Sequence, residues 1–140
     1  MKSTIFLFFI ILLTACSASK VPFAPIAKNN KAEAVQVIKQ IMYEQWPQTP
    51  QKINFYTDHM EVYWGEQSYS KVNYNNITSN SKAIISRIYF NSLAEPKLFT
   101  KRDRFIAQII TKQGKVLMNI VSIDEARFKE FINSFMFFIK

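Results

Sequence analysis

One cysteine, one histidine and two glycines in 140 residues leave this chain without most of the usual means of catalysis and metal binding. A disulfide framework needs at least two cysteines. A zinc site of the usual nitrogen and sulfur ligands needs more than His59 alone supplies. Phosphate-cradling loops depend on clustered glycines, and Gly65 and Gly114 stand far apart. Both glycines are therefore expected in turns that require positive φ. Ser122, His59 and Asp58 do not form a credible hydrolytic triad, because adjacent residues in a tight turn seldom orient a base. Ser122 is better explained as a helix cap. Glu95, Asp103, Asp124, Glu125 and Glu130 read as solvated acids rather than an acid and base pair. The reading is of a non-enzyme with no cofactor and no metal.

What is present begins with a nine-residue apolar run, Ile5 to Leu13, preceded by Lys2 and followed by Thr14-Ala15-Cys16. A short positive start, an apolar core and small residues before a cleavage point are the parts of a secretory signal. Nine residues are too few for comfort as a spanning helix, which takes roughly 20. The sequence Leu13-Thr14-Ala15-Cys16 resembles the lipobox of bacterial lipoproteins over the first sixteen residues. That resemblance implies removal of residues 1–15 and acylation of Cys16, so that lipid rather than polypeptide holds the protein at the bacterial envelope. Ser17 after the cysteine implies the outer membrane if the host is Gram-negative. A plain secretory peptide or an uncleaved anchor are the competing readings of the same residues.

Cleavage removes Lys2 and leaves 125 residues with a formal charge of +7, against +8 for the whole chain. Such a length suits one domain. The positive balance attracts anions in general and selects none of them. Residues 16–30, with Pro22 and Pro25, read as the lipid attachment and a flexible tether. The fourteen residues from Ser17 to Asn30 could span roughly 45 to 50 Å at full extension. The alternative is an arm in which Val21, Phe23 and Ile26 pack on the domain. Residues 31–140 form the expected single α+β domain.

Val35, Ile38, Ile41, Met42 and Trp46 recur at helical spacing, which predicts a helix over 31–46 capped by Asn29 or Asn30 and stopped at Pro47. After Pro50 the period shortens toward two. Strands are expected at 53–57, 60–64, 67–75, 83–90, 97–100, 104–111 and 115–123, with turns at Asp58-His59, Gly65-Glu66 and Gln113-Gly114. Ser122-Ile123-Asp124-Glu125 has the spacing of a capping box. The stripe Phe128, Phe131, Ile132, Phe135, Met136 and Ile139 predicts a final helix whose apolar face Phe137 and Phe138 widen.

About seven short antiparallel strands closed by a C-terminal helix resemble the pleckstrin-homology-like barrel over residues 53–139. The segments that carry the likeness include 84–90, 97–99, 105–110 and 114–117. It is a likeness of architecture, and the first loop offers Asp58 and His59 in place of basic residues, so phosphoinositide binding is not implied. An open antiparallel sheet covered by both helices is the alternative arrangement.

The densest charge lies at Lys97 and Lys101-Arg102-Asp103-Arg104, placed around a hairpin loop between Phe99 and Phe105. Arginine in such a cluster suits phosphate or carboxylate recognition, with Arg87 or Lys82 as neighbours across a sheet. Tyr69 to Tyr74, with Asn73, Asn75 and Asn76, could stack against a glycan or peptide. The functional expectation is a lipid-anchored envelope module that binds or assembles a protein partner, does not bind nucleic acid and has an undetermined oligomeric state. The alternative is a surface exclusion or immunity lipoprotein that blocks phage, plasmid or toxin entry.

Overall fold

The computed structural model describes residues 18–73 and 76–139, and side chains within these ranges except over 69–80. The signal segment, Cys16 and, as side chains, all of Tyr69 to Tyr74 with Asn75 and Asn76 lie outside the described residues. The chain is α+β. In order, it forms β1 (Ser19–Lys20), α1 (Lys31–Tyr43), β2 (Lys52–Phe55), β3 (His59–Asn73), β4 (Asn76–Tyr89), a 3-10 turn (Phe90–Ser92), β5 (Lys97–Lys101), β6 (Arg104–Ile110), β7 (Val116–Ser122) and α2 (Glu125–Met136).

The strands make two antiparallel sheets, β1-β5-β6-β7 and β2-β3-β4, and not the single closed barrel that the pleckstrin-homology likeness implied. The break falls after β4. The 3-10 turn carries the chain to the other sheet, where Leu93 bridges Thr111, Ala94 N–H donates to Ile110 O at 3.0 Å and Lys112 N–H donates to Ser92 O at 2.8 Å. β4 and β7 consequently end their sheets as open edges.

Two expected strands, 60–64 and 67–75, are one strand. Gly65 does not turn the chain. It sits at φ 109° where the β3–β4 register shifts between Tyr63 and Gly65, so Trp64 is the extra residue of a β-bulge. The seventh strand comes instead from residues 19–20, which pair with Thr100 and Phe99.

Residues 18–28, expected within an extended tether, run against the domain. Val21 N–H donates to Leu98 O at 3.0 Å, and Asn133 on α2 receives Ile26 N–H on its side chain at 2.8 Å and Lys28 N–H on its carbonyl at 3.1 Å. Val21 and Phe23 pack against the core, while Ile26 remains exposed. Lys28 pairs with Glu33 and Glu130, joining the arm to both helices. These carboxylates hold the Lys28 ammonium above the ordinary lysine range, the Glu33 hydrogen bond being the largest cause.

α1 begins at Asn30, whose side chain accepts from Ala32 N–H at 2.9 Å and Glu33 N–H at 3.4 Å, satisfying donors the first turn leaves open. It ends at Tyr43, short of the expected 46, because the Glu44 and Gln45 N–H groups already bond three residues back. α2 is capped by Asp124 and not by Ser122. The Asp124 carboxylate accepts from Ala126 and Arg127 N–H, while the Ser122 hydroxyl bonds the Asp124 backbone, and Glu125 pairs with Lys129 instead of reaching back.

The core is one cluster. Ala34, Ile38, Ile41 and Met42 of α1 meet Phe128, Phe131, Ile132 and Phe135 of α2, over sheet residues that include Ile53, Met60, Val62, Ile88, Leu98, Ala107 and Ile109. Phe138 continues that cluster beyond α2, with its ring 4.7 Å from Phe90 and 5.3 Å from Phe55. The wide apolar end of the chain is thus spent inside the protein. Ser134, fully buried among these residues, donates to Glu130 O at 2.8 Å and so carries no unmet polar group into the core.

Candidate functional site

The two open edges face each other across a groove of about 750 Å³. One wall is β7 from Leu117 to Val121, and the other is Trp64, Ile84 and Ser86 of the β3–β4 hairpin. Met42 and the loop from Gln45 to Thr49 close one side. Trp64 is held in place by its indole N–H, which donates to Ser86 Oγ at 2.9 Å.

Gln45 shows what the β7 edge accepts. Its side-chain amide receives Val121 N–H at 2.8 Å and donates to Val121 O at 3.2 Å, the two bonds a neighbouring strand would make. In an antiparallel strand the N–H and C=O of alternate residues point to the same side. The peptide groups of Asn119 therefore turn toward the groove as well, on the side where β7 has no strand neighbour. Trp46 stands at the rim with 89% of its surface exposed, and Ile123, past the end of β7, is 78% exposed. An indole so placed contributes nothing to the core. No sequence periodicity pointed to this groove: Gln45 and Val121 are far apart in the chain, and Trp46 read as the last position of a buried stripe.

The residues singled out in the sequence fall elsewhere. Lys101 and Arg104 face each other at the β5–β6 hairpin, with Arg102 at φ 57° in the turn. Lys97 is not beside them. It pairs with Gln108 four residues back along β5, about 13 Å away at the usual strand rise. Arg87 lies in the other sheet, bonded to Glu61 at 2.7 Å.

His59 is not an exposed turn residue. It opens β3 with its side chain 18% exposed, its ring stacked on Tyr56 at 4.6 Å and tilted against Tyr89 at 5.2 Å. Asp58 meets its Nδ1 at 2.7 Å, but Ser122 bonds only the Asp124 backbone, so the triad residues do not converge. The His59 hydrogen bond holds the Asp58 carboxyl below its usual range, and the Arg87 guanidinium does the same for Glu61. Among the described residues no group of three or more histidine, cysteine, aspartate or glutamate side chains is placed to hold a metal, and no helix among them is long and apolar enough to cross a membrane.

A pH dependence follows from these two carboxylates. Their folded-state pKa values are depressed, so their contribution to stability is complete above the ordinary values, 3.8 for Asp58 and 4.5 for Glu61, and is lost as pH falls through the lower folded values. Urea titrations at descending pH should show stability falling below 4.5, with a shallower fall in Arg87→Met, which removes the cation beside Glu61. Parallel curves for the two proteins would remove Arg87 as the cause.

Comparison with protein-family models, with curated proteins and with solved structures yields no match.

Proposed function

We propose that the protein is a lipid-anchored lipoprotein of the bacterial envelope that works as a non-enzymatic binding module and takes an extended segment of a partner protein in the groove between β4 and β7. The observation that carries this reading is the Gln45 amide seated on Val121 as a surrogate strand, beside an edge that continues unpaired toward Asn119. A peptide added there would bond Asn119 as Gln45 bonds Val121, which is recognition by strand addition. Trp46 would supply the apolar anchor, a residue type enriched among those that dominate binding. The sequence Leu13-Thr14-Ala15-Cys16 supports the envelope location. Confinement to a surface raises the effective concentration of neighbours, so a modest groove suffices.

The test is photo-crosslinking in the native host from a reactive side chain at position 48, on the groove rim beside Trp46, with a second at Glu95 as control. A discrete partner should be captured from position 48 and not from 95, and its capture should fall roughly tenfold or more in Trp46→Ala. Asn119→Pro, which deletes the outward N–H, should lose it as well. Because Trp46 is almost wholly exposed, Trp46→Ala should melt as the wild type does. Capture indifferent to both substitutions would dispose of the groove. Cys16→Ser that stays with the membrane fraction would dispose of the anchor.

A further inference from the structure

The outer face of the β1-β5-β6-β7 sheet is basic, and the chain leaves it toward Cys16 at its most basic end. Leu98 and Ala107 are a facing pair, both buried, so the flanking pairs Lys97 with Gln108, Phe99 with Ile106 and Lys101 with Arg104 point the opposite way. Lys20 faces Phe99 and joins them. Lys20, Lys97, Lys101, Arg102 and Arg104 are all exposed, and among the described residues none enters an ion pair. Asp103, in the turn, is the one acid between Lys97 and Ile110.

Ser19 pairs with Thr100, immediately before the Lys101 to Arg104 turn. Cys16 lies three residues before Ser19, so its Cα is at most about 11 Å away. A sulfur held by lipid therefore brings this end of the sheet to the headgroups, at a separation comparable with the screening length of about 8 Å. We propose that the basic outer face around the β5–β6 hairpin binds the anionic headgroups of the membrane carrying the Cys16 lipid, so that the domain lies against that surface with the β4–β7 groove held in a set direction. This rests on the anchor reading of Cys16 given above. With residues 19–20 bound into the sheet, only Cys16 to Ala18 remain between the lipid and the sheet, which keeps the hairpin end within reach of the headgroups. Half-buried Phe99 and Ile106 between the cations suit a surface whose headgroups cover apolar chains.

Mature protein from its host is first weighed by mass spectrometry at Cys16 and then placed in vesicles of phosphatidylcholine alone or mixed with phosphatidylglycerol. A fluorophore on Asp103→Cys is compared with one on Gln113→Cys, at the other end of β6, against a quencher carried on lipid headgroups. Quenching is expected to be stronger at position 103 than at 113, to rise further at 103 when phosphatidylglycerol is present, and to lose that rise when Lys101, Arg102 and Arg104 are all changed to Gln. Equal quenching at both positions, or no response to neutralisation, would overturn the proposal. If Cys16 proves unmodified, the anchor reading fails separately and the same vesicles read the basic face by partitioning. Preference for phosphatidylglycerol should then drop roughly fivefold for each cation removed near the surface, and equal partitioning of wild type and variant would overturn the proposal.

Discussion

Phe131→Ala is expected to remove about 3 to 5 kcal/mol of folding stability, the range for truncating a fully buried aromatic side chain. Its side chain is fully buried, its ring stacks on Phe135 at 5.6 Å, and it lies in the cluster where α1, α2 and the sheets meet. Truncation forfeits the transfer of an aromatic ring and leaves a void, and the surrounding residues are held by two helices that are each capped and cross-tied, through Arg127 to Glu44 at 2.7 Å and through Lys28. Such a frame relaxes little, so the cavity term persists. Against a typical total of about 5 to 15 kcal/mol, the variant would sit near its unfolding midpoint at modest urea. Equilibrium urea denaturation monitored by far-ultraviolet circular dichroism measures it, and Phe131→Leu should recover more than half of the loss. A loss below about 1.5 kcal/mol would show that this cluster is not the tight junction the burial implies.

Local patterns were readable in the sequence, and contacts distant along the chain were not. The stripe from Phe128 to Ile139 could be read because a helix repeats its buried face every three or four residues, and the turn at Lys101 to Arg104 because charge interrupts two alternating runs. Gly65 misled because positive φ serves a bulge as well as a hairpin, and only the partner strand's register distinguishes them. Asp124 and Ser122 both precede the helix within the span a cap can occupy. The choice depends on which oxygen meets the first free N–H groups, a matter of two residues that spacing does not resolve. β1 had no alternation to read, since two residues have no period. The groove was invisible for a related reason: it is made by two strand edges and a glutamine side chain that only the closed fold brings together. The basic face shows the intermediate case. Its cations were named from sequence, but that Lys20 joins them and Lys97 stands apart from the turn follows from pairing register alone.

Gly65→Val should cost about 2 to 3 kcal/mol, at the upper end of what a strained backbone position stores. Gly65 lies at φ 109°, beyond the left-handed region that other residues occasionally enter, and any Cβ there would stand 2.8 Å from Gln51 Nε2. The close atom is the far end of an exposed, flexible side chain, so Gln51 turns its amide aside at little cost and the backbone angle is the lasting penalty. Two escapes remain. Either the strain is kept, or the bulge closes and the register beyond it slips by one residue, which sends each following side chain to the opposite face. The second escape would break the pairing of Trp64 with Ser86 in the groove wall. Gly114→Ala supplies the control, since Gly114 also has positive φ, at 83°, but nothing within 4 Å of its Cβ position. It should lose about 1 kcal/mol, the backbone share alone. Urea midpoints measure the two losses, and near-ultraviolet circular dichroism of the tryptophans reports whether Trp64 has left its place. Equal losses at the two glycines, with an unchanged tryptophan spectrum, would mean that the bulge contributes nothing beyond the backbone angle.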